Sequence, residues 1–222
     1  MSLSKNDVKK VADSILKDKG TMSVSKMLYE IYKNRANLGK DIQNAPLKQV
    51  HDFLCSLGIV EWQEYFTSEE TSKSLANLIL KLHNWQSEIL DFWSWIWQIT
   101  KYLNGFWVWF ERQEEYVEIA KEEYDVKSEK VNFHKELKSK DINRFSYCVW
   151  NPPFSSKTNK KFLGKYLKKI TTKDCEFIML LPDNYEKKLE NLGYKVYNWY
   201  NVEEDFLNTD IRTKIFCFNK KE

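Results

Sequence analysis

A chain of 222 residues can bury one sizeable core and a small appendage, so one or two domains are allowed. Its net charge of +3 is weak evidence for an anionic partner. No segment approaches about 18 uncharged apolar residues and the N-terminus has no signal-peptide core, so we expect a cytoplasmic protein with no membrane partner. Four scattered cysteines and three histidines form neither a disulfide framework nor a zinc pattern, and we expect no metal site.

Residues 1–60 are predicted to be a separate helical region, followed by a main domain over residues 61–222. Apolar residues repeat at helical spacing in three places, and Gly58 is placed to end the third helix. An extended Ile59-Val60-Glu61 follows. Three short helices with such a strand would suit a winged helix that reads DNA. A helical cap packed on the main domain is the simpler interpretation.

The next predicted helix begins just after Thr67. Ser68 can cap its free amide groups, and Glu69 and Glu70 bring negative charge to the positive end of its dipole. The apolar residues that follow at helical spacing are Leu75, Leu78, Ile79 and Leu82. On structure alone, this segment is a helix N-terminus.

Three strands are predicted before residue 134. The first covers residues 88–91 and ends on Asp91, and the second covers residues 108–111 and ends on Glu111. Glu111 follows the turn after the first strand at close to the roughly 20 residues expected of a ribose-binding acid in a nucleotide-binding fold. Residues 131–133 are interpreted as a third strand that carries Asn132.

The apolar run 145–149 ends at the sequence Trp-Asn-Pro-Pro-Phe over residues 150–154. Proline cannot continue a ladder, so the run predicts a buried strand that delivers a rigid turn to its carboxyl end, where open α/β sheets collect ligands. Asn151 offers an acceptor and two donors, and Phe154 offers a flat apolar face. This set suits a planar group with an exocyclic amine. The alternative is a strand end followed by an ordinary proline turn.

The last third of the chain is predicted to complete an α/β sheet. A helix carries a buried stripe at Phe162, Leu163, Tyr166, Leu167 and Ile170. Strands follow at residues 176–182, 195–197 and 213–218, with a helix over about 185–192. Lysines 157, 160, 161, 165, 168, 169 and 173 are assigned to the outer face of the first helix. Such a run is usually a solvated face, but this one begins beside the proline turn, where it would neutralise phosphates.

The Asn-Pro-Pro-Phe block resembles the Asn/Asp-Pro-Pro-aromatic motif of amino-methyltransferases. These S-adenosylmethionine enzymes methylate the N6 of adenine, the N2 of guanine or the amide of glutamine. In that family the Asn side chain and the carbonyl before the first Pro accept hydrogen bonds from the target amine, and the aromatic residue stacks on the base. The catalytic residues implied by the resemblance are Asn151, Pro152, Pro153 and Phe154.

The same resemblance implies the residues that bind S-adenosylmethionine. Tyr65-Phe66-Thr67 is similar to a segment of DNA adenine methyltransferases that touches the cofactor, with Ser68 in place of the family's proline. The family's first strand ends in an acid before a triple-glycine turn, its second ends in an acid that holds the ribose, and its third often carries an Asp that contacts adenine. The implied set is Tyr65, Phe66, Thr67, Asp91, Trp93, Trp95, Trp97, Glu111 and Asn132.

Tryptophan stands at positions where this family has glycine. Trp93, Trp95 and Trp97 fill the triple-glycine turn, and Trp109 and Trp150 also stand where glycine is common. The chain has nine Trp and six Gly, whereas the usual share of about 7% would give about 15 glycines. We hypothesise that several are glycines in the working protein, because bacterial codes differ in reading UGA as Trp or Gly. The alternative is a genuine Trp cluster, whose bulk would fill the cofactor cleft.

The resemblance covers roughly residues 62–219 and implies an α/β fold, a Rossmann-like seven-stranded class I methyltransferase sheet with a small N-terminal helical region. The order of its blocks favours methylation of the N6 of adenine in DNA, as in restriction-modification systems. RNA or protein glutamine methylation, or a catalytically dead fold that binds nucleic acid, are the alternatives. The chain ends soon after the last strand, so we expect target specificity to lie in residues 1–60, to lie in a separate specificity or restriction subunit, or to be low.

Overall fold

The computed structural model describes residues 3–58, 67–82, 88–92, 99–103, 107–111, 113–124, 128–130, 142–152, 162–202 and 211–221. Contacts divide the chain into two compact units, residues 1–64 and 65–222. Among the described helices, none has the length and apolarity needed to cross a membrane.

The described part of the first unit, residues 3–58, consists of short helices. They are α1 (Lys5–Lys19), α2 (Val24–Lys33), α3 (Lys40–Gln43) and α4 (Leu47–Ser56). Side chains of Ser4 and Ser23 accept hydrogen bonds from backbone amides in the first turns of α1 and α2, as N-caps do. Gly58 follows α4 with φ +73°, a conformation that glycine adopts without strain. The three predicted helices are confirmed, while the proposed wing at residues 59–61 lies outside the described residues.

The second unit is built on a mixed sheet. Its strands are β1 (Ile89–Phe92), β2 (Trp107–Glu111), β3 (Ser128–Lys130), β4 (Phe145–Trp150), β5 (Thr171–Pro182), β6 (Tyr194–Asn201) and β7 (Thr213–Lys220). They lie in the order β3-β2-β1-β4-β5-β7-β6. Strands β1 to β5 run parallel, and β7 is antiparallel to both neighbours. The predicted α/β class is confirmed.

Helices cover the two faces of this sheet. They are α5 (Glu69–Leu82), α6 (Glu114–Tyr124), α7 (Leu167–Ile170), which extends a π-helical turn at Phe162–Tyr166, and α8 (Glu186–Asn191). Residues Leu75, Ala76 and Ile79 of α5 pack on one face of the sheet, in a cluster that includes Val149 of β4. The other face carries Cys148 and Trp150 of β4 and is covered by residues 162–170 and α8. Successive residues of β4 therefore alternate between the two cores, as the strand period requires.

Strand β3 was not predicted where the structure has it, at Ser128–Lys130, because Ser-Glu-Lys has no apolar alternation to mark it, and the predicted strand at 131–133 lies outside the described residues. Two details correct the predictions. Lys173 lies on β5, which begins at Thr171, and not on the preceding helix. Leu82 is 44% exposed at the end of α5, beyond the part of that helix that packs on the sheet.

Candidate functional site

The carboxyl ends of β2, β1 and β4 meet at one edge of the sheet, because these neighbouring strands are parallel. Asp91 is in register with Trp109 of β2 and Val149 of β4. Glu111 and Asn151 each follow those partners by two residues, so they lie roughly 6–7 Å further toward the edge. Strand β1 separates β2 from β4, which puts Glu111 and Asn151 about 10 Å apart. Three predicted site residues thus converge on one edge.

The side chain of Asn151 is hydrogen-bonded to Thr67, which lies 84 positions earlier in the chain. Its amide Nδ2 donates a hydrogen bond of 2.7 Å to the hydroxyl Oγ1 of Thr67. Both side chains are buried, with exposures of 7% and 4%. Asn151 shares its sheet face with Val149, which is the face covered by α5. Because Thr67 lies just before α5, the start of this helix is placed over the carboxyl end of β4.

The first turn of α5 is stabilised by Ser68. The Ser68 hydroxyl accepts a 3.1 Å hydrogen bond from the amide of Thr71, and its carbonyl accepts one of 2.9 Å from the amide of Ser72. Ser68 is therefore the N-cap, a role that serine fills well. This explains how a serine can stand at the position where the family that the sequence resembles has proline.

Two buried hydroxyl groups at this turn have unused hydrogen-bonding capacity. Ser72 is completely buried, and its Oγ has no hydrogen-bond partner in the described part of the chain. Thr67 accepts its bond from Asn151, and no acceptor for the Thr67 hydroxyl hydrogen is found among the described residues. Buried polar groups are rarely left in this state, so both hydroxyls are available to hydrogen-bond a bound molecule. Sequence reasoning missed Ser72, whose only signal was a small polar residue within an apolar helical stripe.

The second unit's buried cysteines are core residues and not nucleophiles. Burial, together with the charges of Cys175 and Asp91, raises the pKa of the Cys148 thiol well above its usual range. Burial also raises the pKa of Cys175, and raises that of Cys217 to about 11. All four cysteines of the chain are free thiols. Over the described ranges, no cluster of His, Cys, Asp and Glu is arranged to hold a metal ion.

Trp150 faces away from the candidate site. It is fully buried on the face opposite Asn151, and its ring packs on Phe162 at a centroid distance of 4.9 Å. Trp109 lies on β2 next to Asp91 in register. Trp93, Trp95 and Trp97 lie outside the described residues. The residue at position 150 therefore affects the packing of the core, and the glycine-turn hypothesis stays a prediction.

The structure describes only part of the predicted site. Asn151, Pro152, Thr67 and Asp91 are buried at the carboxyl edge, and the backbone of Glu111 ends β2 there. The predicted residues outside the described ranges are Tyr65, Phe66, Asn132, Pro153, Phe154 and the three tryptophans of the turn.

The described part of the lysine-rich face is only partly available to a nucleic acid. Lys165 and Lys169 are exposed. The ammonium of Lys168 instead lies over the ring of Tyr194, 5.1 Å from its centroid. Lysines 157, 160 and 161, nearest the proline turn, are outside the described residues.

Comparison with known proteins defines the class of fold. Neither a protein-family profile nor a curated protein matches the chain. A solved structure of a candidate RNA methyltransferase from Pyrococcus horikoshii is similar, with TM-score 0.57, 16% identity, and 72% of this chain and 88% of that chain covered. So is a TehB-like S-adenosylmethionine-dependent methyltransferase from Corynebacterium glutamicum, with TM-score 0.54, 13% identity, and 78% and 96% covered.

A third similar structure is the ribosomal protein L11 methylase from Lactobacillus delbrueckii subsp. bulgaricus, with TM-score 0.53, 11% identity, and 71% and 82% of the two chains covered. Identities this low show the fold alone. The chain therefore has the α/β fold of S-adenosylmethionine-dependent methyltransferases.

Proposed function

We propose that this chain transfers a methyl group from S-adenosylmethionine to the N6 amine of adenine in DNA. The observation that carries the proposal is the buried Asn151-Pro152 pair at the carboxyl end of β4, held there by the hydrogen bond to Thr67. The methyltransferase fold and the Asn-Pro-Pro-Phe sequence support the same reaction. Nucleic acid is then the principal partner, with a separate specificity or restriction subunit as a further one.

The described residues of the carboxyl edge fit the proposed cofactor. The cofactor combines a carboxylate and an ammonium group with ribose hydroxyls, and the edge offers matching chemistry. The hydroxyls of Thr67 and Ser72 lie at the positive N-terminal end of α5, which favours an anionic oxygen. Asp91 supplies a buried carboxylate for a cation, and Glu111 ends the strand where the family holds ribose. Tyr65, Phe66 and Asn132 are added by the resemblance.

Binding of the cofactor would depend on which residues form the predicted turn after β1. Glycines at positions 93, 95 and 97 would let the backbone approach the cofactor, since a Cβ there obstructs it. We therefore propose that the active form carries glycine at these three positions. When bound, the cofactor would supply an electrophilic methyl group on a sulfonium sulfur and leave as S-adenosylhomocysteine, while the methylated amine releases one proton to solvent.

Asn151 would act on the amine that receives this methyl group. The lone pair of the N6 amine is delocalised into the adenine ring and is a poor nucleophile. Hydrogen bonds from the amine to Oδ1 and to the backbone carbonyl of Asn151 favour a more tetrahedral nitrogen and aim its lone pair. Positioning of this kind supplies much of the rate without a strong base or a metal.

The target base must leave the duplex to reach this edge. Flipping it out costs a few kcal/mol, which stacking on an aromatic residue partly offsets. The resemblance assigns that stacking to Phe154, and Pro152 and Pro153 hold the turn rigid.

Asn151→Ala tests the proposal, with Asn201→Ala on the exposed edge strand β6 as the matched control. Methyl transfer is measured with labelled S-adenosylmethionine and DNA with or without adenine, using the chain as written and a chain with glycine at 93, 95 and 97. We expect Asn151→Ala to lower transfer about 100-fold, as loss of one positioned polar group in an active site typically does. The control should stay within about twofold, and the DNA affinity of both variants should be unchanged.

The same assay separates the alternatives. RNA of matching sequence is the first additional acceptor, because a similar structure is described as a candidate RNA methyltransferase. Protein with accessible glutamine is the second. Transfer to either but not to DNA would keep the enzyme and correct its acceptor. If the chain with glycine at 93, 95 and 97 transfers methyl groups to none of these acceptors, the proposed methyltransferase activity is refuted. A fold that only binds nucleic acid would then be favoured.

A further inference from the structure

Thr67 stands between the proposed target-binding amide and the start of α5. Its hydroxyl oxygen accepts the Nδ2 hydrogen of Asn151 at 2.7 Å. The hydroxyl hydrogen has no acceptor among the described residues, although Thr67 is only 4% exposed. Ser72, in the first turn of α5, is also buried with no partner for its Oγ in the described ranges. Two hydroxyls that need a partner thus flank one helix N-terminus, where an anionic oxygen is favoured.

We propose that Thr67 couples occupancy of the cofactor site to the orientation of the Asn151 amide. In this arrangement the Thr67 hydroxyl donates its hydrogen to a carboxylate oxygen of the bound cofactor, while it continues to accept from Nδ2 of Asn151. The inference rests on the proposed function, because it requires the cofactor to bind at this edge. Thr67 is then a positioning residue for the amide as well as a contact of the cofactor.

The coupling follows from the single hydrogen of a hydroxyl group. Once that hydrogen is committed to the cofactor, Thr67 presents only lone pairs to Asn151, so the amide must keep its NH₂ end toward Thr67. The Oδ1 end is then turned away from Thr67 and toward the incoming amine. With an empty cofactor site, the hydroxyl can rotate and donate to Oδ1 of a flipped amide. A flipped amide would turn its NH₂ group toward the target amine, which is itself a hydrogen-bond donor, and the amine could not bind there.

The coupling can be measured without any acceptor or methyl transfer. The full-length chain as written and the full-length chain with glycine at 93, 95 and 97 are both labelled with ¹⁵N-asparagine and titrated with S-adenosylhomocysteine. The chain that binds the compound, expected to be the one with glycine, is the parent for every variant. The Asn151 NH₂ pair is identified as the signal missing from Asn151→Ala. We expect the bound compound to slow solvent exchange of this NH₂ pair by about fivefold or more, the lower end of ordinary coupling between sites. Thr67→Val should abolish the slowing, and Thr67→Ser, which restores the hydroxyl, should recover it.

Thr172→Val is the matched control, because Thr172 lies near the amino end of β5, far from the carboxyl edge, and bonds weakly to Ser146 at 3.5 Å. It should behave as the parent chain does. A second probe needs no substitution: 5′-methylthioadenosine shares the nucleoside and sulfur but lacks the carboxylate. It should bind to the parent chain without slowing exchange at Asn151.

Calorimetry measures the binding of S-adenosylhomocysteine to each chain, so that a failure of binding can be distinguished from a failure of the coupling. If S-adenosylhomocysteine binds but slows exchange equally in the parent and in Thr67→Val, the coupling is refuted and the proposed function stands. Equal slowing by 5′-methylthioadenosine refutes it in the same way, even if Thr67→Val binds too weakly to test. If neither the chain as written nor the chain with glycine at 93, 95 and 97 binds S-adenosylhomocysteine, the proposed function and the coupling both fail.

Discussion

Replacing Trp150 with glycine should destabilise the second unit severely. The Trp150 side chain is fully buried, packs on Phe162 at 4.9 Å, and belongs to the core between the sheet and residues 162–170. Truncating a buried aromatic residue to alanine costs about 3–5 kcal/mol. Glycine within a strand adds about 0.5–1 kcal/mol relative to alanine. The expected loss of about 3.5–6 kcal/mol is large against a total folding free energy of about 5–15 kcal/mol.

Trp199→Gly provides the matched control for this substitution. Trp199 lies on the edge strand β6, is 44% exposed, and has the Lys214 ammonium 4.1 Å from its ring centroid. Loss of that contact at an exposed site and the glycine backbone penalty should each cost about 0.5–1 kcal/mol. Unfolding in guanidinium chloride is followed by far-UV circular dichroism, because nine tryptophans make fluorescence hard to assign.

The result would also bear on the miscoding hypothesis. If Trp150→Gly unfolds within about 1 kcal/mol of the parent chain, the packing argument is refuted, and glycine becomes the better candidate for the working residue at this position. A UGA codon at position 150, with an intact mass lower by one Trp-to-Gly difference, would agree with that result. A UGG codon and a strongly destabilised variant would mean that the indole is a genuine core residue.

Three further predictions concern tyrosine and cysteine side chains. Tyr194→Phe removes a buried 2.6 Å hydrogen bond from the Tyr194 hydroxyl to the carbonyl of Leu163, so chemical denaturation should show a free energy of unfolding lower by about 1–2 kcal/mol. The control Tyr200→Phe, at a half-exposed site, should lower it by under about 0.5 kcal/mol. Equal effects of the two substitutions would contradict the role of the hydrogen bond. Burial and Glu176 raise the pKa of Cys217 to about 11, and the folded chain should therefore lose stability as pH rises from about 8.5, the unfolded thiol value, toward 11. Iodoacetamide at pH 8, read by mass spectrometry, should label at most Cys55 in the folded chain and all four cysteines after unfolding, and labelling of Cys217 in the folded chain would refute its burial.

The strands that carry the site were predictable because their apolar runs are long and end abruptly. The run that becomes β4 stops at Asn151-Pro152, and the run that becomes β5 stops at Pro182, since proline ends a central strand. Strand β3 could not be predicted in this way. Its three residues contain no apolar side chain, so hydrophobic pattern could not locate it, and the four-residue helix α3 was missed because it is too short for a periodic signal.

The position of the candidate site was predictable, but its contacts were not. Parallel strands bring their carboxyl ends to one edge, so Asp91 and Asn151 were expected at the same edge once their strands were identified. The structure adds that β1 and β4 are adjacent, with Asp91 in register with Val149. The bond between Asn151 and Thr67 joins residues 84 positions apart and depends on where α5 starts over the sheet. Ser72 was overlooked for a related reason. A small residue within a helical apolar stripe indicates burial, and the sequence does not show whether its hydroxyl has a hydrogen-bond partner.

The tryptophans at glycine positions pose two physically separate questions. Strand alternation turns Trp150 toward the core and Asn151 toward the α5 face, so the residue at 150 governs packing and has no direct access to the cofactor side. Residues 93–97, the predicted glycine turn, lie outside the described residues, and bulky side chains there would compete with the proposed cofactor. A stable chain that binds no cofactor would therefore point to the turn after β1, whereas an unstable chain that binds it would point to position 150.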